Sequence, residues 1–473
     1  MKTAGMTAGT KQNRLDSFFS PNGIAVIGAS QAEGRPGRVV IENLKTNGFA
    51  GYIYPVNPRG GEILGHKVYP SVAEIPAMVD FAVCMLPANA TAQAVRDCAA
   101  KGIKSVVLAA GGFAEIDAGE DLQAELAAVV QDTGIRILGP NTAGHISTPA
   151  NFTSSFFPLG KIPAGPISYI AQTGNFTGAM MRHIMTAENY GVARCIGLGN
   201  AVDIDEADVL EYLAGDDHTG IVFAYLEDLK HPTRFLDIAA KMTRRKPLIV
   251  LKGGTTAEGA KAAQSHTASL GVDDRVLDSA FRQAGIVRIH EFSQHFTVAK
   301  AAAFMPPPAG HRVGFVSPSG AFIVHINDLC RQRLGLRFPK FEPATLSRLR
   351  EISPPIVNIS NPVDVFPSVT VHGLEFAYRE SMEAALADKN VDAVVTILIL
   401  VDALGVPKLD FIVDLARRYR EKPIYVSFSG DDRCNAEAKA FLEPQGIPTF
   451  PRIEDPFHAL DVMARCRAAM NRN

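Results

Sequence analysis

Residues Ile24-Ala25-Val26-Ile27-Gly28-Ala29-Ser30 read as a short β-strand running straight into a tight turn. A continuous apolar run, without polar alternation, is the pattern of a strand buried on both faces, as in a parallel sheet. Gly34 and Gly37 follow, and Val39–Leu44 then carries helical periodicity. The unit is strand, glycine turn, helix, and the chain repeats it. Further apolar runs stand at Tyr52–Val56, Phe81–Leu86, Ser105–Ala109 and Ile135–Leu138, with helical stretches such as Ala90–Ala100 and Glu120–Gln131 between them. The series ends near Gly139-Pro140-Asn141. A second series has strands at Ile167–Ala171, Ile221–Leu226 and Leu248–Leu251. After the linker-like Pro306-Pro307-Pro308-Ala309-Gly310 a third opens at Val313–Val316 and continues through Ala393–Leu398, Ile424–Phe428 and a terminal helix, Pro456–Met470. Repeated βα units predict an α/β fold of three parallel-sheet domains, at 1–145, 146–305 and 311–473.

The chain of 473 residues has room for three such domains. A formal net charge of −2 gives no general attraction to nucleic acid or an anionic membrane, and no apolar run reaches the ~18 residues of a membrane span. The six cysteines are scattered without a CxxC pair, so neither a zinc site nor a redox dithiol is expected, and no metal site is assigned. Low cysteine usage and the lack of a signal-peptide pattern make cytoplasmic residence the expectation.

Two stretches carry candidate chemistry. In the first, the turn at Gly28-Ala29-Ser30 can bring backbone N–H groups and a helix start up to a phosphate. The spacing is not a clean GxGxxG. The second strand leads into Asn57-Pro58-Arg59, where an NAD site would favour an acidic residue. A cation there suits an extra phosphate, either the 3′-phosphate of CoA or the 2′-phosphate of NADP. Alternatively Gly28 serves only helix–sheet packing, and Arg35, Arg38 and Arg59 are solvated surface charges. In the second stretch, Gly259–Leu270 places His266 among Ser265, Thr267 and Ser269, in a small-residue segment read as lying between regular elements. Asp273 could cap a following helix with an apolar stripe of Val276, Leu277, Ala280 and Phe281. A neutral imidazole is a capable nucleophile near pH 7 if one ring nitrogen is held by a partner; an isolated histidine in a polar loop is more often plain surface.

The ordered motifs resemble the NDP-forming acyl-CoA synthetase superfamily over roughly residues 17–465. They are Ile24–Ser30, Tyr54–Arg59, Gly111-Gly112-Phe113-Ala114-Glu115, Ile137–Asn141, Ala171-Gln172-Thr173-Gly174, Gly199-Asn200 with Asp203, Tyr225-Leu226-Glu227, Lys261–Leu270, Phe281–Val287 and Asn361-Pro362-Val363-Asp364. The resemblance implies a Rossmann-like CoA-binding domain followed by two flavodoxin-like domains. It implies that Gly28, Ala29, Ser30 and Arg35, with Asn57 and Arg59, contact CoA, and that Pro87, Gly112 and Phe113 line its cleft. Asn141 would lie near the thioester. Gln172, Thr173 and Gly174, with Ser265 and Thr267, would hold phosphate or acyl group. His266 would carry the phosphoryl group and Glu227 would orient it. No ATP-grasp domain and no GxxxxGK[ST] motif is present, so ATP or ADP and Mg²⁺ are expected on a separate ATP-grasp β subunit, with a small carboxylic acid or its acyl-CoA as substrate.

The chain departs from the family pattern at Ala268 (usually Gly after SHT), Thr173 (usually Ser in SQSG), Thr142 (usually Cys after GPN) and Ser319-Gly320 (often a Gly-Gly pair). The aromatic run Asn151–Phe157 either shapes an acyl pocket or packs. Two other readings remain: a non-catalytic CoA-binding regulatory subunit, and an NADP-linked oxidoreductase built on the first domain.

Overall fold

The computed structural model describes residues 15–267, 274–355, 358–405 and 407–472, with the side chains of 263–267 outside the description. Its contacts divide the chain into two compact units, one running to Ala187 and resuming over Gly191–Arg288, the other made of Glu188–Tyr190 and Ile289–Asn473. Among the described residues no helix is long and apolar enough to cross a membrane.

The first unit holds two sheets. After α1 (Asp16–Phe19) come β1 (Gly23–Ile27), α2 (Pro36–Asn47), β2 (Tyr52–Val56), a small hairpin of β3 (Glu62–Ile63) and β4 (His66–Lys67), β5 (Phe81–Cys84), α3 (Ala88–Lys101), β6 (Ser105–Leu108), α4 (Glu120–Thr133) and β7 (Arg136–Leu138). The parallel sheet is ordered β2-β1-β5-β6-β7. The chain then forms β8 (His145–Ser147), β9 (Phe152–Thr153), β10 (Ala164–Ala171), α5 (Ala179–His183), β11 (Val192–Gly197), α6 (Glu206–Gly215), β12 (Ile221–Leu226), α7 (Pro232–Met242), β13 (Leu248–Lys252), α8 (Ala257–Thr267), α9 (Asp274–Gln283) and β14 (Val287–Ile289). The second sheet runs β14-β13-β12-β10-β11-β8-β9, with β10, β11, β12 and β13 mutually parallel and β8 and β9 antiparallel at its edge.

One apolar core serves both sheets. Phe81 of the first and Phe152 of the second meet edge-on at 5.3 Å, with His145 packed against both. His145 is wholly buried between the Phe18 carbonyl and the Ser154 hydroxyl, and burial lowers its pKa to about 4, so the ring is a neutral core residue at pH 7. The Asn151–Phe157 segment therefore packs: Phe152 is 1% exposed, and the Ser155 hydroxyl donates to the Thr177 carbonyl. From α2, buried Asn43 and Asn47 bond the backbone of Ser155, Phe157, Leu159, Gly160 and Ile162, satisfying an irregular stretch that makes few ladder bonds. Arg136 of β7 binds Asp203 and Asp208 beyond β11.

The second unit carries α10 (Gln294–Phe304), β15 (Val313–Ser317), α11 (Gly320–Arg333), β16 (Val363–Asp364), β17 (Ala393–Leu400), β18 (Ile424–Gly430), β19 (Thr449–Phe450) and a terminal helix, Asp455–Met470. Its parallel sheet is ordered β16-β15-β17-β18-β19. Taken in sequence order, the five core strands of each sheet follow the same 2-1-3-4-5 arrangement, with β10 to β14 supplying the second set. The first strand sits between the second and the third, which places a switch in connection direction beside it, where α/β sheets bind ligands.

Three local expectations are corrected. The backbone at His266 is not in a loop but helical, within α8, whose Ala260-Lys261-Ala262-Ala263-Gln264 core has high helix propensity. Only Leu277 and Phe281 of the expected stripe are fully buried; Val276 is 63% exposed. The element after Gln172–Gly174 is not one regular helix but a 3₁₀ turn over Gly174–Thr177, then the five-residue α5 and a π turn over Ile184–Glu188. By contacts, α10, which precedes the proline linker, groups with the second unit. Asp273 as a cap lies outside the described residues.

Candidate active site

The first crevice forms at the C-terminal ends of β1 and β5. Gly37, in the first turn of α2, lies so close to Ala29 that an added Cβ would stand 2.9 Å from its Cα, so only glycine lets the helix start reach the turn. Asn57 ties the ends of β1 and β2 together: its Nδ2 donates to the Ala29 carbonyl at 2.7 Å, and its Oδ1 accepts from the Arg59 N–H at 3.0 Å. The N–H groups of Gly28 and Ala29 are directed at the Val56 carbonyl, at 3.0 and 3.3 Å. This corrects the expectation that they would serve a phosphate. What the turn offers a ligand is Ser30 and the exposed Arg35 and Arg59. Pro87 stands exposed at the start of α3. Phe113 lines no cleft, because its ring is 1% exposed and packed into the core beside Leu108 and Ile137.

Beyond β6 and β7 the loops of both sheets interlock around Glu115. Its Oε1 accepts from the Gly112 N–H at 2.5 Å and its Oε2 from Asn200 Nδ2 at 2.5 Å; Asn200 Oδ1 in turn accepts from Asn141 Nδ2 at 3.3 Å. Burial alone would raise the Glu115 carboxyl, but hydrogen bonds from Asn200 and the backbone outweigh it and hold it below the usual carboxylate range. Gly199 makes the approach possible: its φ is +61°, and a Cβ there would fall on the Pro140 carbonyl oxygen. In the sequence Glu115 and Asn200 stand out only as members of the Gly111–Glu115 and Gly199-Asn200 motifs. Their polarity in glycine-rich loops after β6 and β11 was the available signal.

The second crevice lies between β10 and β12. Gln172 follows β10 and Glu227 follows β12, the two strands flanking the switch in connection direction. Glu227 Oε1 accepts from the Tyr225 hydroxyl at 3.0 Å, while Oε2 is buried and has no hydrogen-bond partner among the described residues. Burial, then the Glu227 carboxylate, pushes the Tyr225 phenol above its ordinary value, so it stays a donor at neutral pH. Lys252, at the end of β13, donates to the Glu227 carbonyl at 2.6 Å; burial lowers its pKa against the opposing pull of nearby carboxylates. Thr173 caps the 3₁₀ turn by accepting from the Asn175 N–H at 3.3 Å, and Gly174 lies against Ala143, two residues beyond Asn141. The structure thus brings Gln172, Thr173, Gly174 and Glu227 to the C-terminal ends of β10 and β12, with the Asn141 loop against Gly174 through Ala143. The side chains of Ser265, His266 and Thr267 lie outside the described residues.

Residues 22–147 match a CoA binding domain, and residues 164–302 a succinyl-CoA ligase-like flavodoxin domain. The acetate–CoA ligase (ADP-forming) II of Archaeoglobus fulgidus is 37% identical over 94% of this chain, which spans 66% of that protein. The α subunit of acetate–CoA ligase (ADP-forming) II from Pyrococcus furiosus is 35% identical, over 93% of this chain and 95% of its own length. Among solved structures, dinucleotide-forming acetyl-coenzyme A synthetase 1 of Ca. Korarchaeum cryptofilum, in complex with phosphate and ADP, superposes with a TM-score of 0.86 at 30% identity, covering 96% of this chain and 98% of its own. With relatives of that identity aligned along nearly its whole length, the chain belongs to the NDP-forming acyl-CoA synthetase family.

Proposed function

We propose that the chain is the α-type subunit of an acid–CoA ligase, interconverting acyl-CoA, ADP and phosphate with carboxylic acid, CoA and ATP through an acyl phosphate and a phosphohistidine. The observation that carries this is the buried Oε2 of Glu227, which has no hydrogen-bond partner among the described residues, at the switch between β10 and β12. A buried carboxylate oxygen costs free energy unless a donor meets it. An imidazole Nδ1–H is such a donor, and accepting it leaves Nε2 as the nucleophile.

CoA lies along the first crevice, its phosphates against Ser30, Arg35 and Arg59 and its thioester toward Asn141. Phosphate, held beside Thr173 and Gly174, attacks the thioester carbonyl; the C–S bond breaks, the thiolate takes a proton, and an acyl phosphate remains. His266 Nε2 then attacks phosphorus, the P–O bond to the acyl group breaks, and the carboxylate leaves. Glu227 balances the positive charge that develops on the ring. The phosphoryl group passes to ADP, which with Mg²⁺ belongs to an ATP-grasp partner. Positioning and charge stabilisation supply most of the rate.

The test needs no nucleotide. The chain, with and without an ATP-grasp partner, is incubated with [³²P]phosphate and acetyl-, 4-hydroxybutyryl- or feruloyl-CoA. The expected product is an acid-labile, base-stable phosphoprotein; no label with any thioester, partner present, refutes the proposal. A non-catalytic CoA-binding subunit would bind CoA and take no label.

Arg59 gives a separate check on the first crevice. CoA is expected to raise the melting temperature of the chain, and NADPH to leave it unchanged. Arg59→Ala should weaken CoA binding about tenfold, the equivalent of ~1.4 kcal/mol for one exposed charge–phosphate contact. Equal stabilisation of wild type by NADPH would return the first domain to a dinucleotide reading.

A further inference from the structure

Gln172 stands among the residues expected to hold phosphate, yet its amide oxygen and one of its two Nε2 hydrogens are engaged within the protein. Its Oε1 accepts from the Glu227 N–H at 2.5 Å and from the Asp228 N–H at 2.9 Å. Its Nε2 donates to the Asp228 carbonyl at 3.0 Å, and its own N–H donates to the Tyr225 carbonyl at 3.1 Å. Both lone-pair directions of the amide oxygen are thereby used. The parallel ladder of β10 and β12 ends at Ala171 opposite Tyr225. The Gln172 side chain carries the pairing two residues further, substituting for the backbone of a strand that has already turned away.

The other side of the same peptide is held as well. Lys252 Nζ donates to the Glu227 carbonyl, so side chains from the two strands flanking β12 grip residue 227 at its N–H and at its C=O. Further along, the Lys230 N–H donates to Glu206, a wholly buried carboxylate. These bonds fix residues 227, 228 and 230 beyond the end of β12. The side chain carried there is Glu227, with Oε1 tied to Tyr225 and Oε2 without a hydrogen-bond partner among the described residues.

We propose that Gln172 is a positioning residue for Glu227: it fixes the backbone at 227 and 228 so that the open carboxylate oxygen is pre-aimed at the phosphoryl-accepting imidazole, and it does not itself bind phosphate. This rests on the function proposed above. A misplacement of about 1 Å can cost on the order of 100-fold in rate, and a hydrogen-bonded brace is what prevents it.

The experiment is a double-mutant cycle on the rate of ³²P labelling from acetyl-CoA and [³²P]phosphate, in the full chain with its ATP-grasp partner. Gln172→Ala should slow labelling at least tenfold while the CoA-induced rise in melting temperature stays as in wild type. In a Glu227→Gln background the same substitution should change the rate less than twofold, because Gln172 acts through the carboxylate already lost. The Km for phosphate should stay within twofold of wild type. Gln172→Met, which keeps the length of the side chain, gives the same readouts should alanine impair folding. Equal losses in both backgrounds, a wild-type rate for the variants, or a phosphate Km raised tenfold with the maximal rate intact would overturn the inference and leave the proposed function standing. A wild-type protein that takes no label overturns both.

Discussion

His266→Ala is expected to take no ³²P from acetyl-CoA and [³²P]phosphate, a loss of about 10³-fold or more, while still converting acetyl-CoA and phosphate to acetyl phosphate and CoA. The two halves of the chemistry use different groups. Thioester cleavage needs phosphate beside the acyl carbon, a task the proposed mechanism gives to the loops carrying Asn141, Thr173 and Gly174. Phosphoryl capture needs a nucleophilic nitrogen, and alanine supplies none; removal of a nucleophile typically costs three to six orders of magnitude. The variant should therefore accumulate acetyl phosphate, measurable as hydroxamate, and CoA, measurable as free thiol. Label retained at the wild-type level would place the phosphoryl group on another residue. Loss of thiol release together with loss of label would mean that the imidazole also takes part in the first step.

Much of this geometry was legible in the residues. Continuous apolar runs gave Ile221–Leu226 to the residue, because a strand buried on both faces leaves a composition that little else produces, and gave the edge strand Tyr52–Val56 as well, although Tyr52 is exposed. The turns after those strands announced Asn57, Arg59 and Glu227 as residues at strand ends. Val192–Gly197 was missed because Arg194 and Gly197 interrupt its apolar run; the buried guanidinium is met there by Asp216 at 3.2 Å, by the Ser147 hydroxyl and by the Phe19 ring, partners from elsewhere in the chain. The β8–β9 hairpin was hidden likewise, since His145 and three serines look like a loop until Phe18, Phe81 and Phe152 enclose them. Burial also separated lining from packing: Phe113 reads as a cleft residue by motif and is core by contact. Gln172 was legible as a residue at the site but not in its role, because the role consists of hydrogen bonds to a strand that the sequence places more than fifty residues away.

Lys300→Ala is expected to destabilise the second unit by about 3–5 kcal/mol, the usual result of removing one partner from a buried ion cluster. Lys300 is 1% exposed, and its ammonium makes three contacts: Glu188 at 2.7 Å, Glu443 at 2.9 Å and the Thr449 carbonyl at 3.0 Å. Glu443 also accepts from Thr449 and Asn189, so the cluster fixes the Glu188–Tyr190 tripeptide, α10 and the segment before β19 to one another. Burial alone would lower the Lys300 pKa, but the two carboxylates raise it above the ordinary value. A group raised on folding contributes stability that is complete below its unfolded pKa and is lost only as pH rises through the folded one, so the cluster is at full strength across neutral pH. At about 2–4 °C per kcal/mol for a unit of this size, the melting transition of the second unit should fall by roughly 6–20 °C. Lys300→Met separates charge from packing, since it retains the length of the stem and leaves the carboxylates with only Lys439, 3.4 Å from Glu443, as a neighbouring cation. If charge dominates, methionine should cost nearly as much as alanine, and Glu188→Gln with Glu443→Gln should recover most of the loss in the methionine background. A Lys300→Met protein melting within about 2 °C of wild type would show that the methylene stem, and not the ammonium, secures these elements.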